Sequence, residues 1–283
     1  GNGAMSGEAA ANGVRGPLMG RIVAVPETRE LEVMSRMLER QGASVLRCPL
    51  VAILDLADPA PAEAWLRRFV DEPPDDLILL TGEGLGRLLG VAERAGLADA
   101  FRAALPGVRK VVRGPKPTAR LRAIGLGADV TAAVPTTAGV IAALDPLPLE
   151  GRRVAVQLYP DNPNEALLGF LRDRGAVPDP VVPYAYASGE ADARVAALIG
   201  EMAEGRVDLI AFTSSPQLRR LRDVARTAGL EERLAEALRR TPIAAVGPVV
   251  ARAVVEAGGT VAMQPESNFH LKPMVGEIVA AIG

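Results

Sequence analysis

Two short stretches combine hydroxyls and glycines in an order suited to holding an anion. "DDLILLTGEGLGRLL" covers Asp75–Leu89 and "VDLIAFTSSPQLRRL" covers Val207–Leu221. In each, an acidic residue precedes an apolar run, the run breaks at a threonine followed by small residues, and a Leu/Arg pattern follows. Thr81, Gly82 and Gly84 in the first stretch, and Thr213, Ser214 and Ser215 in the second, stand where a strand would give way to a helix. Gly114 in "RGPKP" and Gly247-Pro248-Val249 in "VGPVV" mark two further turns of this character. A free helix N-terminus offers unpaired N–H donors and about half a positive charge, stabilising an anion by roughly 0.3–1 kcal/mol. Several such termini would suit a ligand with several carboxylates. The alternative for each residue is simply to cap its own helix, and both readings stay open.

Other chemistries are disfavoured. "TGEGLG" lacks the Lys-Ser/Thr of a P-loop and does not match G-x-G-x-x-G, and neither does "VPETRE", the first strand-to-helix turn. No G-x-S-x-G elbow occurs. The single cysteine, Cys48, excludes an intramolecular disulfide or a multi-cysteine metal site and reads as a small buried hydrophobe. The single histidine, His270 in "NFHLKPM", leaves no His-based triad or His-rich metal centre. A net charge of −2 and a pI near 5.7 give no basic surface for nucleic acid, so an anionic ligand would be held by local donors. No apolar run approaches ~18 residues, so no membrane span is expected. Residues 1–19 lack the apolar core of a signal peptide and read as a disordered leader. A cytoplasmic protein is expected.

The elements that must position these residues come from a repeat. Thr81 and Thr213 are 132 positions apart. Nearly the same offset relates "GRIVAV" at Gly20 to "GRRVAV" at Gly151, "MLERQGASV" to "FLRDRGAVP", and "RGPKPTARLRAIGLGADV" to "VGPVVARAVVEAGGTV". Four ordered matches indicate duplication of a unit of roughly 130 residues. Within each unit short apolar runs alternate with helical patterns: "RIVAV" precedes a helix with Leu31, Met34 and Leu38 on one face and Gly42 as its stop. "LIAF" precedes Ser215 as N-cap and Pro216 at the first helical position. "PIAAV" leads through Gly247 to a helix that Pro248 opens and Gly258-Gly259 ends. This pattern predicts two doubly wound parallel α/β lobes, flavodoxin-like, with ligands beyond the carboxyl ends of the strands. With 49% hydrophobic but 3% aromatic residues, their cores must be built of Ala, Val, Leu and Ile.

Taken in order, "DDLILLTG", "GRRVAVQLY…FLRDRGA", "VVPYAY", "VDLIAFTSS" and "VGPVVARAVVEAGG" make the chain from Gly20 onward resemble the uroporphyrinogen-III synthase family. The resemblance implies two lobes joined by a two-stranded linker, the first strand and helix belonging with the C-terminal lobe. The expected boundaries are 20–46 plus 188–283 for one lobe, 55–178 for the other, and 47–54 and 179–187 for the linkers, where Pro49 and Pro183 suit extended chain. It also implies the cyclisation of linear hydroxymethylbilane, with its eight carboxylates, to uroporphyrinogen III. Water is lost and the last pyrrole ring is inverted through a spiro intermediate. No metal or organic cofactor takes part, and a monomer is expected. Because the substrate closes unaided to the uninverted isomer, holding it in one geometry is the main task.

In the family a tyrosine on the second linker serves catalysis, and Tyr184 matches its position; Tyr186 fits if the match slides by two. Both would face the same side of an extended segment. A hydroxyl there would assist departure of the substrate hydroxyl, or would simply pack at a hinge. Tyr159 would reach the site from the lobe edge. Arg29, Arg113 and Lys116 are the basic side chains nearest the turns, with solvated surface charge as the alternative. The sequence departs from the family at Val249-Val250, where many members have Thr after Gly-Pro, and at Gly82, where Ser often follows Thr. A non-catalytic bilobal module that binds or senses an anionic tetrapyrrole is the rival reading.

Overall fold

Apolar runs of three to five residues form strands whose side chains are buried on both faces in the computed structural model, which describes residues 11–265 and 271–283. The chain divides into a first unit, residues up to Ala52 with Ala187–Gly283, and a second unit, Ile53–Tyr186. The first unit opens with β1 (Ile22–Pro26), α1 (Arg29–Arg40) and β2 (Ser44–Cys48). The second begins with β3 (Ile53–Leu54), α2 (Ala60–Asp71), β4 (Asp76–Leu79), α3 (Gly82–Arg94), α4 (Ala98–Ala104), β5 (Arg109–Val112) and α5 (Pro115–Ala123). It continues through β6 (Val130–Thr131), α6 (Thr137–Leu144), β7 (Arg153–Gln157), α7 (Glu165–Asp173), β8 (Val177–Val181) and β9 (Ala185–Tyr186). The first unit then resumes with α8 (Gly189–Ala203), β10 (Leu209–Phe212), α9 (Ser215–Ala228) and α10 (Glu231–Arg240). It ends in β11 (Ile243–Ala245), α11 (Pro248–Glu256), β12 (Val261–Met263) and α12 (Leu271–Ile282).

Each unit holds a five-stranded parallel sheet, ordered β12-β11-β10-β1-β2 in the first and β6-β5-β4-β7-β8 in the second. Counted along the chain, the first is the flavodoxin order read from its far edge. The second is 3-2-1-4-5, the doubly wound dinucleotide-binding order without its sixth strand. The flavodoxin-like expectation therefore needs correcting for the second unit. The chain enters the same five-position sheet at a different strand, so that β4 holds the place of β10 and β7 that of β1. The middle strands, β4 and β10, end just before Thr81 and Thr213. β3 and β9 form a separate antiparallel ladder, Ile53 opposite Tyr186 and Leu54 opposite Ala185.

Helix starts follow the hydroxyls: Thr28, Thr81, Thr136 and Ser188 each accept a first-turn N–H. Layers of apolar side chains lie on both faces of each sheet. The few aromatics are concentrated: Trp65, Phe69 and Phe101 pack with ring centroids 5.0–6.3 Å apart under α2 and α4. At the far ends of the middle strands, Asp76 is fully buried between Arg109 and Arg152, while the half-exposed Asp208 accepts from Ile22 N–H (2.7 Å) and faces Arg21 at 3.7 Å.

Two boundaries differ from the sequence expectation. The supposed leader is docked at two points: Leu18 is fully buried with Val23, Met34 and Leu38, and Asn12 Nδ2 donates to Ala43 O at 3.1 Å, while residues 13–17 stay exposed. Gly16 allows this docking, since a Cβ there would sit 2.3 Å from Gln41 O. The predicted linkers also begin too early, because β2 runs to Cys48 and β8 to Val181 as ordinary sheet partners.

Candidate functional site

The glycines of "TGEGLG" lie in the first turns of α3 and form no loop. Thr81 is the N-cap of α3, its Oγ1 accepting from Gly84 N–H at 3.0 Å. Gly84 faces inward: a Cβ would lie 2.0 Å from Gln157 Cδ. Its N–H is spent on the cap and its surface on Gln157, so Gly84 is not a ligand contact. Gln157, fully buried at the end of β7, accepts with Oε1 from Leu80 N–H and Thr81 N–H, both at 3.0 Å. Its Nε2 donates to Leu158 O at 2.8 Å and to Thr81 Oγ1 at 3.1 Å.

The Tyr184 hydroxyl meets Thr81 Oγ1 at 3.1 Å. Tyr184 is 2% exposed and Tyr186 is 44% exposed; their rings meet edge to face at 6.0 Å. Burial pushes the Tyr184 pKa above the ordinary tyrosine value, against the Thr81 hydrogen bond, while Tyr186 and Glu83 add to the rise. The phenol therefore stays protonated throughout the physiological range.

Thr81, Gly82, Arg113, Lys116, Arg120 and Tyr184 line a cavity of about 680 Å³ in the second unit, together with Gly114. The sheet explains the grouping: Thr81 follows β4, Gly114 follows the neighbouring β5, and on the other side Gln157 ends β7 and Tyr159 follows it. Arg113 stacks over the Tyr159 ring at 5.2 Å, and the Tyr159 hydroxyl accepts from Asn162 Nδ2 at 2.7 Å. Tyr159 thus orients a cation. Glu83 belongs to the wall but is engaged by Arg87 at 2.7 Å and Arg120 at 4.0 Å. Arg113, Lys116 and Arg120 make the cavity suited to carboxylates. Sequence reasoning missed Gln157, Arg120 and Glu83; a polar residue closing the buried run "RVAVQ" was the available signal for Gln157.

In the first unit the N-cap of α9 is Ser214, one residue earlier than predicted, because Gln217 ties down the turn. Gln217 Oε1 accepts from Thr213 N–H (2.7 Å) and Ser214 N–H (3.3 Å), and its Nε2 donates to Thr213 Oγ1 at 2.8 Å. Gly247, at φ +83°, leads into α11 with a backbone that favours glycine, and its N–H is taken by Pro265 O at 3.0 Å. Pro248 is the first helical residue, and Val249 is 70% exposed while Val250 is buried. A cavity of about 700 Å³ in this unit lies among α9, α10 and α11 beside Arg219, Arg222 and Glu256. Of the predicted residues it takes in Ser215. Arg29 begins α1, but its side chain, like His270, lies outside the described residues. Cys48 is buried, its thiol pushed up to about 12 by desolvation, which leaves it unreactive.

Among the described residues no group of three or more His, Cys, Asp or Glu could hold a metal, and no helix is long and apolar enough to cross a membrane. What fold and site define, then, is an α/β protein with two parallel sheets and a hydroxyl- and cation-lined cavity at the strand ends of one of them. The family described as uroporphyrinogen-III synthase HemD matches residues 32–275, and the chain belongs to the uroporphyrinogen-III synthase family. Its relatives include the uncharacterized protein YjjA of Bacillus subtilis, 34% identical over 88% of this chain and 92% of that one. A putative uroporphyrinogen-III synthase of Methanothermobacter thermautotrophicus is 31% identical over 56% of this chain and 61% of its own. Among solved structures, a mutant uroporphyrinogen III synthase of Thermus thermophilus is similar at 26% identity and a TM-score of 0.45, covering 92% of this chain and 98% of that one. The family implies a small-molecule tetrapyrrole substrate.

Proposed function

We propose that the protein is a uroporphyrinogen-III synthase, cyclising hydroxymethylbilane with loss of water and inversion of the last pyrrole ring. The observation that carries this reading is the Tyr184 hydroxyl: buried, neutral, tied to the cap of α3, and set in the wall of a cavity that bears Arg113, Lys116 and Arg120. The departing hydroxyl needs a hydrogen bond or proton at its oxygen, and a neutral phenol supplies it. Cations and helix N-termini hold carboxylates, fixing which carbon the closing ring reaches. Tyr186 is the alternative donor. Thr213, Ser214, Ser215 and the Val249 N–H are proposed as further carboxylate contacts, and Arg29 with them, whereas Gly247, whose N–H is spent on Pro265 O, and Pro248, which has none, serve only to open the turn. Purified protein given freshly generated hydroxymethylbilane is expected to yield the type III isomer; type I alone overturns the proposal.

One observation favours a second reading, a module that binds a tetrapyrrole without making it. Val249, 70% exposed, puts an apolar side chain at the start of α11. Saturable porphyrinogen binding with an unchanged isomer ratio would select that reading.

A further inference from the structure

We infer that Gln157 and Thr81 are positioning residues that fix the direction of the Tyr184 hydroxyl, making its oxygen an acceptor from Thr81 and freeing its proton for an oxygen acceptor in the cavity. Gln157 fixes the directions of the bonds around it. Its Oε1 receives two main-chain N–H groups, Leu80 and Thr81, and this settles which end of the carboxamide is oxygen. Nε2 is then a donor, spent on Leu158 O and Thr81 Oγ1. Thr81 Oγ1 receives a second donor, Gly84 N–H. A hydroxyl has two acceptor sites and one proton, so both acceptor sites are filled and only the proton is left for Tyr184, 3.1 Å away.

Thr81 therefore donates to Tyr184, and the phenol's own proton lies outside this chain of bonds. The groups facing it are Tyr186, which meets it both ring edge to face and as a side-chain hydrogen-bond partner, and Glu83, whose carboxylate is engaged by Arg87 and Arg120. Arg113, Lys116 and Arg120 in the cavity have donors only and cannot receive it. The Tyr186 hydroxyl can, and so can a ligand carboxylate or hydroxyl oxygen that takes its place. Were the bond reversed, Tyr184 would merely pin β9 to α3. The role in turnover rests on the function proposed above; the direction of the bond stands without it.

Ultraviolet titration tests the direction. In a Tyr159→Phe/Tyr186→Phe background Tyr184 is the remaining tyrosine. Thr81→Val is expected to move its ionisation to higher pH, because a donor to the phenolate is lost, and Thr81→Ser to restore it. An unmoved or lowered titration overturns the assignment. Kinetics at neutral pH supply a second arm. Gln157→Glu keeps the oxygen that faces Leu80 and Thr81 N–H but replaces the Nε2 donor with an acceptor, so the Thr81 proton turns toward it and the Tyr184 proton toward Thr81. The expected result is a kcat loss approaching the ~10²-fold of removing a general acid, an unchanged KM, and no further loss on adding Tyr184→Phe. Multiplying losses in that double variant overturn the positioning role. Wild-type protein that yields only the type I isomer overturns the role in turnover, and the titration still decides the bond.

Discussion

The turns at Thr81 and Thr213 follow the middle strands of two sheets and carry one polar scheme, a carboxamide clasping two main-chain N–H groups and a threonine hydroxyl. They obtain it from different addresses. Gln157 arrives from the adjacent strand β7, whereas Gln217 lies in α9 itself. Counted at the sequence offsets that align the two stretches, these glutamines fall opposite Pro26 and Leu85, neither of which can make such bonds. What the turn requires is the carboxamide, not its place in the sequence. Bringing it from outside has a condition: the first turn of α3 must be emptied, and Gly84 stands where α9 has Pro216. All three tyrosines lie in the second unit, so only the Thr81 turn extends its network to a phenol.

At the far ends of the same middle strands, Asp76→Ala strands two arginines around a fully buried site and should cost about 4 kcal/mol, against roughly 1 kcal/mol for the half-exposed Asp208→Ala. Urea denaturation of both variants measures the gap; equal losses would show that the sheets are anchored alike. Gly84→Ala should cost about 3 kcal/mol by expelling Gln157 from Leu80 and Thr81 N–H, also by urea denaturation. Combined with Gln157→Ala, it should cost little beyond Gln157→Ala alone.

Activity should separate the turns next. Tyr184→Phe is expected to lower kcat ~10²-fold with little change in stability, whereas Thr213→Val, with no phenol beside it, should lower it by no more than ~10-fold. Isomer analysis by chromatography checks both, and equal losses would make the two turns functionally equivalent.

The smallest effect near neutrality is alkaline. Cys48 in the first unit has its pKa raised from 9.0 to about 12 by burial. A folded pKa above the unfolded one stabilises below the unfolded value, and that contribution drains as pH rises from 9.0 towards 12. Tyr184, also raised, follows the same sign from its ordinary value of 10.0 upward. Cys48→Ala should flatten the decline of the urea midpoint above pH 9.0, and an unchanged slope would reject this account.

Strand–helix alternation and the threonine turns are legible in sequence because burial on both faces leaves continuous apolar runs and the caps need hydroxyls. Neighbour order is not: β4-β5-β6 and β10-β11-β12 look alike along the chain, and only tertiary pairing decides where β7 and β1 dock. The glycines of α3 mislead for a related reason. Gly82, Gly84 and Gly86 resemble a loop by composition, yet each admits a close neighbour: Lys116 backbone, the Gln157 side chain and the Arg120 guanidinium. Their partners lie 34 to 73 positions away, beyond the reach of a local pattern. Tyr184 is legible through the family resemblance, while Gln157 behind it is a residue whose type alone carries no chemistry.

The sheet of the second unit is assembled from one uninterrupted stretch, Ile53–Tyr186, but β1 of the first must pair with β10, where Val23 meets Leu209. As the chain emerges during synthesis, the second unit can close while β1, paired with β2 on one side, still has its other edge open for Leu209, made 186 residues after Val23. The first unit is thus the slow and aggregation-exposed half. A pause or truncation after Tyr186 would release a folded second unit carrying an orphaned β1-α1-β2 segment.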